Sequence, residues 1–403
     1  MSIAENAAPE KANEMTPVEA VARARALAET ARARAPEAEA LRRVPEAMIR
    51  DFIDAGLVRL LTPRVFGGHE LSLDAFVDAT LEIAKADGSI GWCFSFLNIH
   101  SWLLATFPEA AQRDVWEKIP DAGLANVNVP AGKAARLQGG FRISGEWPWA
   151  SGIDHCDWAM LAGIIAEDPP REGAPPDLRL FLIPKEDFEI IDTWFVAGQR
   201  GTGSKNVRVN DKFVPEHRTL SFMQLREGQT PGGAFHGSPM YRLPMLMPMA
   251  SSLVAPVLGA AKGAYDRWRS VTRERVTMYS RENVAVLPHQ QIRMAEVAGE
   301  LDAADLLFRR ALGDIRAGGP VPMETRVRIR RDYAFVAAKC VRAVERIFNA
   351  SGGGANFDSN PLQRYWRDVH AMAAHAGINF DAAGENFGRM ELGLPLNPKD
   401  PLI

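Results

Sequence analysis

The sequence predicts an α+β chain in three parts: a helical domain over residues 1–121, a β-domain over 122–225 and a helical bundle over 226–403. Three observations predict it. Ala, Glu and Arg with a helical apolar rhythm fill the first part, and short β-rich runs between Gly, Pro and Asp clusters fill the second. Long apolar stripes at 3-4 spacing return in the third.

Helix is expected from Thr16 to about Asp121. Pro17 suits a first helical turn, and the Ala/Arg/Glu composition after it favours helix. A second helix runs from Pro45 to Ala55 and stops at Gly56. Phe76, Ala79, Ile83 and Ala84 mark another over Leu73 to Lys85, and the more apolar stretch Ile90 to Phe107 reads as a buried helix. The period then changes. Phe141–Trp149, Trp158–Ile164, Leu178–Ile183 and Asn206–Val209 read as strands, with surface loops at Asp168–Asp177 and at Arg226–Ser238, which holds four glycines. In the third part a helix is expected near Leu253–Arg281. Met294, Val297, Leu301, Ala304, Phe308, Ala311 and Ile315 line one face of the next, ended by Gly318, Gly319 and Pro320. Ile329 to Ile347 repeats the pattern up to Ser351, and a last helix is expected over Leu362–Arg389. Four such helices pack most economically as an antiparallel bundle.

A chain of 403 residues, 47% hydrophobic, can bury two or three cores. With 47 Lys and Arg against 50 Asp and Glu, a net charge of −3 gives no electrostatic reason for a nucleic-acid or anionic-membrane partner. Cys93, Cys156 and Cys340 lie far apart without a CxxC pair, which argues against a disulfide framework and for a reducing cytoplasm. The first 45 residues lack the apolar core of a secretory signal. Prolines 244, 248 and 256 interrupt the most apolar runs, none of which reaches the ~20 residues that span a bilayer.

Several familiar catalytic motifs are missing: no GxGxxG after a strand, no GxxxxGK[ST], no HExxH and no GxSxG. The glycine cluster Gly198–Ser204 sits among β-runs and opens no helix. His370 and His375, five apart, would point about 140° away from each other on a helix, so no metal site is expected. The informative stretch is Ser144 to Trp158. In a strand ending at Ser151, Trp149 and Ser151 would share a face, an arrangement suited to a flat ring with polar edges such as flavin.

On these residues the chain resembles the acyl-CoA dehydrogenase fold family. The α-β-α order, the Gly198–Ser204 segment with Val214-Pro215 soon after, and the turn Ser351–Gly354 followed by Arg364-Tyr365-Trp366-Arg367-Asp368 carry the resemblance. Within it, WPWASGIDHCDWAMLAG from Trp147 and LQRYWRDVHAMAAHAG from Leu362 resemble the oxygenase components of two-component, reduced-flavin-dependent aromatic hydroxylases. A dehydrogenase of this fold usually carries a glutamate eight positions after the RD motif. That position here is Ala376, which cannot take a proton. An acyl-CoA dehydrogenase with tightly bound FAD is the alternative.

The resemblance implies that FMNH2 or FADH2 from a separate flavin reductase reacts with O2, and that the resulting C4a-hydroperoxide hydroxylates an aromatic, phenolic substrate. Ser151 would then meet flavin N5, His100 the substrate phenol and His375 the oxygen adduct, as the catalytic residues. Trp149, Arg273, Gln290 and Gly353 are implied flavin contacts, with Arg275, Arg281 and Gln291 as neighbours of the same chemistry. Where the family tends to be serine-rich, this chain reads Ala125 to Pro130, so Asn126 or Asn128 would supply the polar substrate contact. A homotetramer is implied, because flavin sites in the family are built across subunit contacts.

Overall fold

The computed structural model describes residues 15–166, 176–398 and 400, so the loop expected at 168–177 lies outside the described residues except for its last two. α1 (Pro17–Leu41) begins with a capping box: the Thr16 hydroxyl accepts from Glu19 N, and the Glu19 carboxylate accepts from Thr16 N at 2.7 Å. α2 (Glu46–Asp54) follows, then α3 (Leu73–Ala86), capped by Ser72, and α4 (Gly88–Leu104), capped by the Asp87 carboxylate. α4 is buried at every position except Phe96, as its apolar sequence demands. α5 (Glu109–Trp116) closes the first part.

Seven strands then form one mixed sheet: β1 (Leu124–Leu137), β2 (Gly140–Ala150), β3 (Trp158–Ala166), β4 (Leu178–Pro184), β5 (Glu189–Ile191), β6 (Lys205–Pro215) and β7 (Thr219–Ser221). Their order is β5-β6-β2-β1-β3-β4-β7, and among the described residues only β1 and β3 run parallel. Trp147 of β2 is fully buried and donates its indole N–H to the Ala162 carbonyl at 2.6 Å. It needs Gly132 beneath it, because a Cβ there would lie 2.4 Å from the indole ring.

The stretch 226–238 departs from the expected surface loop. It holds the end of α6 (Phe222–Glu227) and the short α7 (Pro231–Phe235), capped by Thr230. Gly232 packs so tightly that a Cβ would come within 2.0 Å of the Ala105 carbonyl oxygen, so this glycine serves close approach. The bundle is α8 (Leu246–Glu274), α9 (Pro288–Ile315), α10 (Met323–Ser351) and α11 (Pro361–Ala373), followed by α12 (Phe380–Glu391). α8 crosses α3 closely through Gly259 and Gly263, where a Cβ would meet Ala84 and the Lys85 carbonyl at 2.6 and 2.2 Å. The single helix expected over 362–389 is broken at residues 374–379. His375 and Asn379 turn their side chains onto the next backbone N–H groups and restart the chain twice. Among the described residues no helix is long and apolar enough to cross a membrane.

Candidate functional site

The site is organised by α4. Trp92, Phe96 and His100 stand one helical turn apart on one face, with ring centroids 4.8 Å apart for the first pair and 5.1 Å for the second. His100 is 1% exposed, and its Nδ1 lies 2.7 Å from the Leu124 carbonyl at the start of β1. A carbonyl only accepts, so Nδ1 carries the proton and Nε2 presents a bare lone pair. Burial pushes the ring's pKa from 6.5 down to about 4, which keeps it neutral at physiological pH.

Ser151 follows β2, where pairing with β6 slips between Trp147 and Ala150 and Trp149 takes a left-handed φ of 65°. This bulge corrects the expectation of a shared face by strand alternation: Trp149 is 64% exposed whereas Ser151 is 8% exposed. The Ser151 hydroxyl accepts from the Trp92 indole N–H at 3.1 Å and lies 2.7 Å from the Ser204 hydroxyl. Ser204 in turn lies 2.7 Å from the Thr202 hydroxyl, which donates to the Gln199 carbonyl at 2.9 Å. The loop carrying these groups is held by the Arg364–Asp368 block. The Asp368 carboxylate accepts from Gln199 N at 2.6 Å and from the Ser89 hydroxyl at 3.2 Å. Arg367 donates to the Ala197 carbonyl at 2.6 Å and to Glu39 at 2.5 Å, and Arg364 donates to Asp87 at 3.0 Å. Gly198 lies against this block, since a Cβ there would be 2.2 Å from the Arg367 carbonyl oxygen.

His375 stands in the break between α11 and α12, with its ring 6.0 Å from that of Trp92. Gly377 N donates to its Nδ1 at 3.0 Å, so Nδ1 is bare and Nε2 carries the proton. Crowding by protein lowers its pKa to about 4 although the residue remains open to solvent; the Gly377 N–H is the firmer reason for a neutral ring. The two imidazoles thus hold opposite tautomers. His100 can accept through Nε2, and His375 can donate through Nε2.

The remaining predicted residues lie around this centre or apart from it. Asn126 is half-buried on β1, two residues beyond Leu124, with its amide N–H donating to the Met160 carbonyl at 3.0 Å; Asn128 is exposed. Gln290, near the start of α9, is 5% exposed and its side-chain oxygen has no partner. Arg273 is exposed near the end of α8. Arg275 is committed to the Ser351 and Ala350 carbonyls at 2.6 and 3.2 Å, and Gly353, which follows, is exposed. Trp92, Thr202 and Ser204 escaped sequence reasoning. Trp92 had a signal, since it lies two helical turns before His100.

Residues 18–121 match the family model "Acyl-CoA dehydrogenase, N-terminal domain", and residues 251–380 match "Acyl-CoA dehydrogenase, C-terminal domain". The chain is 37% identical over 351 residues to the flavin-dependent monooxygenase, oxygenase subunit HsaA, of Rhodococcus jostii, covering 85% of this chain and 90% of that one. It is 38% identical over 353 residues to the oxygenase component of an FADH2-dependent resorcinol hydroxylase of Rhizobium sp., covering 84% and 85%. Among solved structures, XiaF from Streptomyces sp. in complex with FADH2 and glycerol superposes with a TM-score of 0.87 at 30% identity, over 96% of this chain and 98% of that one.

Proposed function

Since the chain belongs to the oxygenase components of two-component, reduced-flavin-dependent monooxygenases, built on the acyl-CoA dehydrogenase fold, we propose that it hydroxylates a phenolic ring. In this reading Ser151, His100 and His375 surround the reacting atoms, with FMNH2 or FADH2 arriving from a partner reductase. One observation carries it. The three residues, distant in sequence, meet through Trp92 and Phe96: Ser151 by a hydrogen bond of 3.1 Å, His375 and His100 by ring contacts.

The residues present suit a reduced flavin. Ser151 keeps 8% of its surface open and an unused lone pair, and the exposed indole of Trp149 stands two residues away. When bound, reduced flavin supplies the two electrons that activate O2, and O2 supplies the transferred oxygen atom. The chain's own part is to bind, orient and move protons. The bare Nε2 of His100 accepts the phenol O–H, which raises electron density at the ortho carbon. With flavin bound, the Nε2–H of His375 would donate a hydrogen bond beside it and Ser151 Oγ would meet its N5. Asn126 or Asn128 gives the substrate a polar contact, and Arg273, Gln290 and Gly353 hold the flavin tail across a subunit contact in a homotetramer. The unpartnered oxygen of Gln290 supports a missing partner there. A reducing cytoplasm suits the three free cysteines.

The test is an anaerobic titration with FMNH2 and FADH2, followed by 18O2 and a panel of phenols. One 18O atom in a hydroxylated product is expected. A protein that purifies yellow, is bleached by an acyl-CoA and forms no hydroxylated phenol would overturn the proposal.

A further inference from the structure

Resting on the flavin reading above, we propose that Thr202 and Ser204 are positioning residues that turn the Ser151 hydroxyl proton away from the flavin. Ser151 then meets N5 only as a hydrogen-bond acceptor, and the site selects reduced over oxidised flavin. The direction follows from counting protons. The Gln199 carbonyl accepts from the Trp194 indole N–H at 2.9 Å and from Thr202 N at 3.1 Å as well as from the Thr202 hydroxyl at 2.9 Å. Since it has no proton to give, Thr202 is the donor of that last contact. Its only proton being spent, Thr202 must accept from Ser204 at 2.7 Å. Ser204 then has no proton left and must accept from Ser151, also at 2.7 Å. Indole N–H groups only donate, so Trp92 occupies one lone pair of Ser151. What remains on Ser151 is a single lone pair.

Reduced flavin carries a proton at N5 and can donate to that lone pair, whereas oxidised flavin presents a lone pair at N5 and would be repelled. The relay is dry, with Thr202 fully buried, Ser204 4% and Trp92 3% exposed, so water does not scramble its direction. Its start is fixed by the Gln199 backbone, whose N–H is held by Asp368 at 2.6 Å. Serine next to N5 is therefore half of the device, and the two hydroxyls behind it are the other half.

Dissociation constants of oxidised and reduced FMN, measured anaerobically by fluorescence and absorbance, test this without turnover. The wild-type chain is expected to bind reduced FMN more tightly. In Ser204→Ala the Ser151 proton loses its acceptor and can turn to N5 of oxidised flavin, so the ratio of the two constants should shrink roughly three- to tenfold. Thr202→Val should do the same by letting Ser204 reverse, and Thr202→Ser, which keeps the hydroxyl, should restore the wild-type ratio. A ratio unchanged in both Ser204→Ala and Thr202→Val, with both flavins bound, overturns the relay. Failure of the wild-type chain to bind FMN in either redox state would overturn the flavin reading itself, and the relay with it.

Discussion

His100→Ala should lower hydroxylated product by about 10²-fold or more, the usual contribution of a positioned base, while reduced flavin still binds and its oxidation still consumes O2. The electrons should then appear as H2O2, so the product-to-peroxide ratio is the measurement to make. The expectation rests on tautomer and burial together. Nδ1 is tied to the Leu124 carbonyl at 2.7 Å, which makes Nε2 the accepting nitrogen. Because burial holds the pKa near 4, the ring stays a neutral acceptor across pH 6–8, and His100 should add no inflection to the rate there. The linkage sign follows. The unfolded imidazole takes up a proton below about 6.5 and the folded one does not, so this group's contribution to stability is lost as pH falls from about 6.5 toward 4. The loss amounts to about 3 kcal/mol at most. A rate inflection near pH 6.5 that vanishes in His100→Ala, or an unchanged product-to-peroxide ratio in that variant, would sink the role.

The long helices were legible because a 3.6-residue period leaves a mark that needs no partner to read. Of the stripe predicted over Met294–Ile315, Val297, Leu301, Ala304, Phe308, Ala311 and Ile315 are buried on α9 and Met294 is half-buried. Gly232 was not legible because it answers to the Ala105 carbonyl, remote in sequence. The break at His375 was not legible because side chains capping the backbone N–H groups two and three residues on leave no mark in the apolar period. Trp149 misled for a local reason: a single left-handed residue ends strand alternation, and sequence periodicity cannot show φ. For the site, residue types alone could propose a flavin-like ring near Ser151, but only family resemblance joined Ser151 to His100 and His375. Thr202 and Ser204 stayed hidden because a hydroxyl's direction is set by what it faces.

The second large effect is expected at Asp368, where the three parts of the chain meet. Asp368→Ala would leave Gln199 N and the Ser89 hydroxyl buried without an acceptor, at a cost of roughly 2–4 kcal/mol. It should also loosen the loop that carries Thr202 and Ser204. Asp368→Asn keeps an acceptor for Gln199 N and should fold. The two substitutions separate shape from charge, because burial and the neighbouring Asp87 carboxylate raise the Asp368 pKa from 3.8 to about 7. A carboxyl whose folded pKa is raised contributes stability that is full below about 3.8 and is lost as pH rises through about 7. Asparagine cannot ionise and escapes that loss. The melting temperature of Asp368→Asn relative to wild type should therefore rise between pH 5 and pH 8.5, while Asp368→Ala stays below wild type at both. A difference between Asp368→Asn and wild type that does not change with pH would mean that Asp368 is ionised in the folded chain throughout. The junction would then be held by Arg364 and Arg367 compensating a buried charge, in place of a proton shared at the carboxyl.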